Sequence, residues 1–438
     1  MSEKPLELEL HSAGVPAPPA RPRWLERQLH ARLDSLRDGR LTLCEAGRSR
    51  AFGDPGSPLS AQIRVRDAAF YRALALRGAL GGAESYIDGH WSADDLVAVI
   101  RILARNRDTW SGLDRGLARL ARLPLAAFHR LRRNTRAGSR RNIAAHYDLG
   151  NEFFELFLDP TLTYSSGIFE RRDATMEEAS IAKYERVCRK LAIGSRDHVL
   201  EIGSGWGGFA IHAASRHGCR VTTTTLSERQ LEVARRRVRE AGLSDRIELL
   251  LQDYRDLEGR YDKLVSIEMV EAVGHEHLDA FQRVCSERLT PQGAMLLQAI
   301  TVHDRDLDAH LRSVDFIKRY IFPGGELVSI GALGAAAARA SDLRMTQLED
   351  LTPHYAETLR RWRERMQQNL PRMRALGLDE RFLRMWEYYL CYCEGGFEER
   401  QIGLVQVVFE KPGARLSPSL RESGPARSQP AAPAECAA

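Results

Sequence analysis

The chain of 438 residues exceeds the usual size of one hydrophobic core and favours two domains. Its 64 basic and 59 acidic side chains leave a net charge of +5, which argues against nucleic acid as the main partner. Seven scattered cysteines indicate reduced thiols in a cytoplasmic protein. The sequence has no signal-peptide pattern and no apolar run near the ~18 residues that cross a bilayer, so we expect any membrane contact to be peripheral.

Composition divides the chain into five predicted parts. Residues 1–21 and 412–438 are rich in proline and alanine and are expected to lack fixed structure. Residues 22–110 mix strand-like and helical runs, which predicts a small α+β domain, and its Ser92-Ala-Asp-Asp95 resembles a capping box. Residues 111–141 hold leucines at helical spacing among many arginines. This basic linker helix suits either an anionic membrane surface or a solvated connection between domains.

Residues 142–411 form the fifth part, in which apolar runs alternate with amphipathic helical stretches. This alternation is typical of a parallel sheet with helices on both faces. We therefore expect an α/β fold, in which a doubly wound Rossmann-like sheet follows the small α+β domain along the chain. A last apolar run, Ile402–Glu410, is expected to join the sheet antiparallel. The predicted parallel strands are Val199–Ile202, Arg220–Thr225, Ile247–Leu251, Lys263–Ile267 and Ala294–Val302.

The most informative segment is the apolar run from His198, which opens into Gly203, Gly205 and Gly208. Glycines at this spacing predict a strand, a tight turn and a helix start where backbone N–H groups can meet a ligand. The spacing also satisfies the dinucleotide-binding pattern G-x-G-x-x-G. However, no acid follows at the ~20 residues where that pattern holds a ribose, and a bulky Trp206 stands inside the turn. The segment favours S-adenosylmethionine over NAD, and a purely structural turn is the third alternative.

Polar residues just past each predicted strand are further candidates, because ligands of open parallel sheets lie across the carboxyl ends of the strands. Hydroxyls and amides after the second strand can hold a ribose, and an acid or amide after the third can accept a hydrogen bond from an adenine amino group. Asp253 fits the second task. The candidates at the ends of the second, third and fourth strands and within the fifth are Thr225, Leu226, Ser227, Gln230, Gln252, Asp253, Tyr254, Glu268, Glu271, Gln298 and Ile300.

Seven ordered motifs run through the chain: His146–Asn151, Asp159–Ser166, Leu200–Gly207, Thr225–Ser227, Ser266–Gly274, Ile321–Gly325 and Tyr389–Glu394. In these motifs the chain resembles the family of cyclopropane-fatty-acyl-phospholipid synthases and mycolic acid cyclopropane synthases, which are S-adenosylmethionine-dependent methyltransferases. The resemblance covers residues 23–411. The segment Tyr86–Trp91 is similar to the amino-terminal domain of the phospholipid-acting members.

The resemblance implies that a cis double bond in a lipid acyl chain attacks the sulfonium methyl group of the cofactor. A carbocation results, and loss of a proton from the transferred methyl closes a cyclopropane ring, with bound bicarbonate as the proton acceptor. Such a reaction requires an aligned alkene, a cavity without water and aromatic faces near the cation. The implied partners are a membrane phospholipid, reached at the anionic inner face of the membrane, and a second copy of the chain.

Carried over by position, the resemblance implies that Glu271 orients the bicarbonate, that Ile300 contacts it through the backbone and that Tyr389 contacts it through its phenol. Ser166 and Gln298 stand where the best-known members have a cysteine and a histidine. Both can still bind an anion, yet bicarbonate dependence and ring closure become open questions. A methylene or methyl-branched product, or a non-catalytic lipid-binding protein, are the alternatives. The implied cofactor contacts are Tyr164, Ser165, Gly203, Gly205, Thr225, Leu226, Gln230, Asp253 and Tyr254.

Two remaining patterns have weaker implications. His275 and His277 are two residues apart and do not share a helix face, so no metal site is expected. The segment Asp304–Tyr320 follows the fifth strand and ends before Pro323-Gly-Gly325. It fits either a cover over the acyl site or an ordinary packed helix.

Overall fold

The computed structural model describes residues 23–110 and 150–416. The predicted linker helix at 111–141 and the end segment 1–21 lie outside the described residues, as does the carboxyl-terminal segment from residue 417. Among the described helices, none is long and apolar enough to cross a membrane.

The amino-terminal part is a four-stranded sheet covered by helices. The strands lie in the order β2-β1-β3-β4, with β1 parallel to β3 and the other two pairs antiparallel. The expected capping box is wrong. Ser92 lies in β4, where it pairs with Arg64 of β3, and Asp95 caps the next helix by accepting from Ala98 N–H at 2.9 Å. The elements are α1 Arg23–Leu33, β1 Arg40–Glu45, β2 Arg48–Gly53, β3 Ser60–Val65, α2 Ala69–Ile87, β4 Trp91–Ala93, α3 Leu96–Arg105 and α4 Arg107–Trp110.

The second part is a seven-stranded sheet with helices on both faces, in the order β10-β11-β9-β8-β5-β6-β7. Five strands are parallel, and the last strand, β11, is antiparallel between β9 and β10, which confirms the predicted α/β fold. The strands are β5 His198–Ile202, β6 Arg220–Thr225, β7 Ile247–Leu251, β8 Tyr261–Ile267, β9 Leu289–Val302, β10 Arg344–Asp350 and β11 Ile402–Glu410.

The helices of this part fall into two groups, those that flank the sheet and those that lie above the carboxyl ends of its strands. The helices are α5 Asn151–Glu155, α6 Met176–Lys190, α7 Gly208–His217, α8 Glu228–Glu240, α9 Leu278–Arg288, α10 Asp304–Arg312, α11 Ile330–Ala340, α12 Thr352–Gln368, α13 Leu370–Ala375 and α14 Glu380–Glu398. A π-helical turn covers Ile317–Ile321. Short 3-10 turns at Tyr254–Asp256, Val270–Ala272 and His275–His277 follow the strands β7 and β8.

The two parts share one hydrophobic core. Buried side chains of α2 and α3 pack with those of α12 and α14 in a continuous apolar cluster. Polar contacts tie the same surfaces together, since Arg384 donates to the carbonyl oxygens of Tyr86 at 2.7 Å and Trp91 at 2.9 Å. The Tyr86 hydroxyl in turn donates to Glu387 at 2.7 Å. The small sheet is therefore fixed against the helices that lie above the catalytic sheet.

Candidate active site

A single cavity of about 1230 Å³ connects the carboxyl ends of β5 to β9 with the interior of the amino-terminal part. Eleven of the predicted site residues line it, and Ser166, Gln298 and Asp253 do not. The lining predicted residues are Tyr164, Ser165, Gly203, Gly205, Thr225, Leu226, Gln230, Tyr254, Glu271, Ile300 and Tyr389. The cavity volume exceeds the ~300–1,000 Å³ of ordinary small-molecule sites, so it has room for more than a nucleoside.

The glycine turn after β5 adopts the geometry that the sequence predicted. Gly203 has φ +99° and Gly205 has φ +49°, a region that side chains with a Cβ rarely adopt. A Cβ at Gly203 would lie 3.2 Å from the Met269 Cγ, whereas nothing lies within 4 Å of a Cβ at Gly205. The turn leads into α7 and leaves an open space on the cavity side for the methionine part of a cofactor.

The residues after β6 form a prearranged polar edge. Ser227 caps α8 by accepting from the Gln230 N–H at 3.3 Å, and the Thr225 hydroxyl donates to Gln230 Oε1 at 3.0 Å. These bonds fix the Gln230 amide at the cavity wall beside Leu226. The Gln230 amide thus has a fixed position at the cavity wall, where the resemblance implies a contact with the ribose.

In the loop after β7, the carboxylate of Asp253 has a partner within the same loop. Asp253 accepts from the Arg255 backbone N–H at 3.0 Å and from its guanidinium at 2.8 and 2.6 Å. A local pair two residues apart thus engages the carboxylate that was expected to meet the adenine. Gln252 and Tyr254 line the cavity on either side of Asp253, and both were candidates from their position after the predicted strand.

Glu271 lies in the 3-10 turn after β8 and faces the cavity. Its Oε1 accepts from the Ile300 backbone N–H at 2.6 Å, so it occupies the donor that the resemblance assigned to bicarbonate. Its Oε2 is buried and has no hydrogen-bond partner among the described residues. Burial and the charge of Glu268 raise the pKa of the Glu271 carboxyl to about 8.

Glu268 is the site residue to which the sequence analysis gave no role. Its Oε1 accepts from the Ser166 N–H at 3.0 Å and from Gln298 Nε2 at 2.7 Å. Its Oε2 accepts from the Tyr355 hydroxyl at 2.6 Å. The sequence did contain a sign of this role. Ser166 and Gln298 differ from the cysteine and histidine of the best-known members, and both of these fully buried residues lie behind the Glu268 carboxylate.

Aromatic side chains enclose the cavity near these carboxylates. The Tyr164 ring stacks on Trp362 at a centroid distance of 5.3 Å, and its hydroxyl lies 3.0 Å from that of Tyr389. Fully buried Lys183 donates to the Ser165 hydroxyl at 2.6 Å. Burial lowers the pKa of the Lys183 ammonium to about 8, despite nearby Glu268. The site thus combines aromatic faces with a small set of buried charges.

Beyond the carboxylates the cavity becomes apolar and enters the amino-terminal part. Its wall there comes from α1, β1, β3, α2 and α3, through Leu33, Leu43, Ile63, Phe70, Leu74 and Leu103. The segment after β9 also contributes, because Phe316, Ile317 and Phe322 line the cavity. This placement supports the interpretation of Asp304–Tyr320 as a cover rather than only a packed helix.

One cluster of metal-type ligands lies outside this site, in the contact between α6 and α7. Ligand atoms of Cys188, His212 and His217 lie within 4.8 Å of one another. Glu185 Oε2 lies 3.3 Å from His212 Nε2 and 3.1 Å from His217 Nε2. These hydrogen bonds account for the position of both imidazoles without an ion.

A glycine turn at the carboxyl edge of this seven-stranded sheet, with polar side chains after the next two strands, defines an S-adenosylmethionine-dependent methyltransferase. Comparison with known families gives the finer assignment. The chain belongs to the mycolic acid cyclopropane synthetase family, whose match covers residues 134–407.

Curated relatives agree with this membership. The chain is 38% identical over 374 residues to the tuberculostearic acid methyltransferase UfaA1 of Mycobacterium tuberculosis, covering 84% of this chain and 86% of the relative. It is 35% identical over 353 residues to the cyclopropane-fatty-acyl-phospholipid synthase of Escherichia coli, covering 80% and 88%.

Solved structures resemble the catalytic part. The cyclopropane synthase MmaA2 from Mycobacterium tuberculosis matches with a TM-score of 0.59 and 32% identity over 62% of this chain and 98% of that one. The mycolic acid cyclopropane synthase CmaA1, complexed with SAH and CTAB, matches with a TM-score of 0.58 and 34% identity over 62% and 98%. S-adenosylmethionine is therefore the cofactor of this enzyme.

Proposed function

We propose that this enzyme transfers the methyl group of S-adenosylmethionine to the cis double bond of an unsaturated phospholipid acyl chain and forms a cyclopropane ring. The observation that carries the proposal is the continuity of the cavity from the glycine turn, past two carboxylates, into an apolar extension. A long alkyl chain matches such an extension because burial of apolar surface is its main binding energy.

The side chains of the cavity suit a reaction that develops positive charge on carbon. Bound S-adenosylmethionine supplies a sulfonium methyl group. Glu268 and Glu271 border the cavity, where the negative charge of this pair lowers the energy of a nearby cation. The ring faces of Tyr164 and Tyr389 add electron-rich surfaces. The apolar wall of Leu43, Phe70 and their neighbours keeps out the water that would quench the cation.

A second product has its own support. The relative from Mycobacterium tuberculosis is named for tuberculostearic acid, and 38% identity over 84% of this chain makes a methyl-branched or methylene chain a competing outcome. Loss of a methyl proton from the first cation closes the ring. A methylene group forms instead when a hydride first moves from the methyl-bearing carbon to the cationic carbon and the methyl group then loses its proton. The geometry of the bound alkene decides between these outcomes.

The test uses methyl-labelled S-adenosylmethionine and vesicles that contain a monounsaturated phospholipid. We expect labelled acyl chains with a mass gain of one methylene unit, and nuclear magnetic resonance of the released chain should show cyclopropane protons. Olefinic protons with the same mass gain would favour the methylene product. An absence of label transfer, with the cofactor bound, would support the non-catalytic lipid-binding alternative and refute the proposal.

Contact with the membrane is expected through the helices α1 and α2 of the amino-terminal part. Trp24 and Leu76 are 52% and 53% exposed, which is unusual for large apolar side chains, and both lie on helices that line the cavity through Leu33 and Leu74. Replacing both by alanine should lower binding to anionic phospholipid vesicles about fivefold or more, as measured by sedimentation. Leu376→Ala, at a residue 49% exposed on the catalytic part, is the matched control and should bind normally. Equal loss in the control would contradict this orientation.

A further inference from the structure

Glu268 combines a strained backbone with a charged side chain at the cavity wall, and the fold requires neither. It follows β8 with φ +49°, a conformation that is costly for a residue with a Cβ. It lines the cavity, and its charge acts on the neighbouring carboxylate of Glu271. Two buried carboxylates at one cavity wall and a strained backbone both disfavour folding. Such conflicts are expected where a residue serves the reaction.

The hydrogen bonds distinguish the two carboxylates. Glu268 accepts three donors, from Ser166, Gln298 and Tyr355, and its charge is further balanced by buried Lys183. Glu271 accepts one described backbone donor and leaves an oxygen without a partner. Hydrogen bonds to a carboxylate favour its ionised form. Glu268 is therefore the member of the pair that holds the negative charge.

We infer that the Glu268 carboxylate accepts the proton that the transferred methyl group loses, an inference that rests on the proposed function. The alkene electron pair first forms a bond to the methyl carbon as the bond from that carbon to sulfur breaks, which leaves S-adenosylhomocysteine and a carbocation. A C–H bond of the new methyl group then breaks. Its electron pair closes the ring, and the proton moves to a carboxylate oxygen of Glu268. The neutral carboxyl afterwards returns its proton to solvent when the product leaves.

The same geometry removes the need for bicarbonate. The donors that the resemblance assigned to this anion are the backbone of Ile300, the side chains at 166 and 298, and the phenol of Tyr389, whose hydroxyl lies 3.0 Å from that of Tyr164. Ile300 N–H donates to Glu271, and Gln298 Nε2 donates to Glu268. The Ser166 hydroxyl donates to the Gly167 carbonyl oxygen at 3.0 Å, while its backbone N–H donates to Glu268. The protein's own carboxylates thus take the donors of Ile300 and Gln298, and the two hydroxyls already have partners within the protein.

The first arm of the test measures wild-type turnover in buffer freed of carbon dioxide. We expect the rate to stay unchanged when bicarbonate is removed or added back. A rate that falls about tenfold or more on removal and returns on addition would overturn the inference, since an external anion would then be the acceptor.

The second arm compares variants at position 268. Glu268→Gln keeps the size of the side chain and should reduce kcat about 10²- to 10³-fold, while the affinity for S-adenosylhomocysteine by calorimetry stays unchanged. Glu268→Gly also relieves the positive φ, and its reduced turnover should rise at least tenfold with added formate, a small carboxylate that fits the vacated space. Glu240→Gln, at a carboxylate 66% exposed on α8, is the matched control and should behave as wild type.

The outcomes separate this inference from the proposed function. Wild-type enzyme that transfers no methyl group refutes the function itself. Wild-type enzyme that transfers methyl, with a Glu268→Gln variant of similar kcat, refutes only the role of Glu268. A slow Glu268→Gly variant that formate does not accelerate also refutes it, because the lost group would then support the structure alone. A larger isotope effect from methyl-deuterated S-adenosylmethionine in Glu268→Gln would support proton removal as the affected step.

Discussion

Glu271→Gln is expected to reduce kcat about 10²- to 10³-fold with nearly unchanged affinity for S-adenosylhomocysteine. The amide keeps the shape of the side chain and the contact with Ile300 N–H, but unlike the Glu271 carboxyl, whose pKa is about 8, it cannot lose a proton and become negative beside a carbocation. Steady-state kinetics and calorimetry on the same preparation measure the two quantities. Equal loss of turnover and cofactor affinity would indicate a structural role instead.

The same variant should be more stable than wild type at alkaline pH. The folded protein raises the pKa of Glu271 from 4.5 to about 8, so it retains a proton that the unfolded chain has lost. More bound protons in the folded state mean that the free energy of unfolding falls as pH rises through this range. Glutamine removes that cost, which is on the order of 5 kcal/mol above pH ~8 and vanishes below pH ~4.5.

Denaturant unfolding of both proteins across this pH range measures the difference. Glu287→Gln, at a side chain 57% exposed, is the control and should show no such trend. A stability difference that is independent of pH would contradict a buried neutral carboxyl at position 271. Loss of turnover together with a gain in stability would mark Glu271 as a residue kept for the reaction.

Leu103→Trp is expected to reduce kcat/KM for long-chain phospholipids about 10- to 100-fold while leaving cofactor binding intact. Leu103 lies on α3, where the apolar extension passes between the amino-terminal part and α14. An indole at this half-buried position would fill the passage that the alkyl chain needs. Because the ring occupies existing space, folding should suffer little.

Leu103→Met is the matched control, because its volume and flexibility suit an apolar wall. Rates with a series of acyl lengths give the readout, and the tryptophan variant should lose more activity as the chain becomes longer. Similar losses for short and long chains would show that the alkyl group does not enter the amino-terminal part.

The main sheet was predictable from sequence because its parallel strands are continuous apolar runs that alternate with helices. β10 Arg344–Asp350, in contrast, is an edge strand. Most of its residues are polar or charged and exposed, so the sequence shows no alternation of apolar and polar residues that would predict a strand there. β4 has three residues, and its Ser92 pairs across the sheet, which a local capping pattern cannot reveal. Local patterns therefore located buried elements and missed those defined by distant pairing.

The candidate site was predictable where it depends on local spacing, as in the turn at Gly203 and Gly205. It was not predictable where a side chain selects a distant partner. The contacts of Ser166 and Gln298 became clear only from the structure, because both donate to Glu268, which is 102 residues from Ser166 and 30 residues from Gln298 along the chain. Asp253 shows the converse case. Its partner Arg255 is only two residues away, and the position of an acid after a strand does not indicate whether a neighbouring residue pairs with it.

The shared core has a practical consequence for anyone who wishes to shorten this enzyme. Because α2 and α3 cover one side of α14, removal of the first 110 residues would bring rings such as Tyr388 and its neighbours into water. The remaining sheet would keep its cofactor edge, but the apolar surface of α14 and the remaining half of the cavity would be exposed to solvent. Crystallisation or inhibitor screening should therefore start from the undivided polypeptide, because heat that unfolds the amino-terminal part also destabilises the helices that lie above the cofactor edge of the sheet.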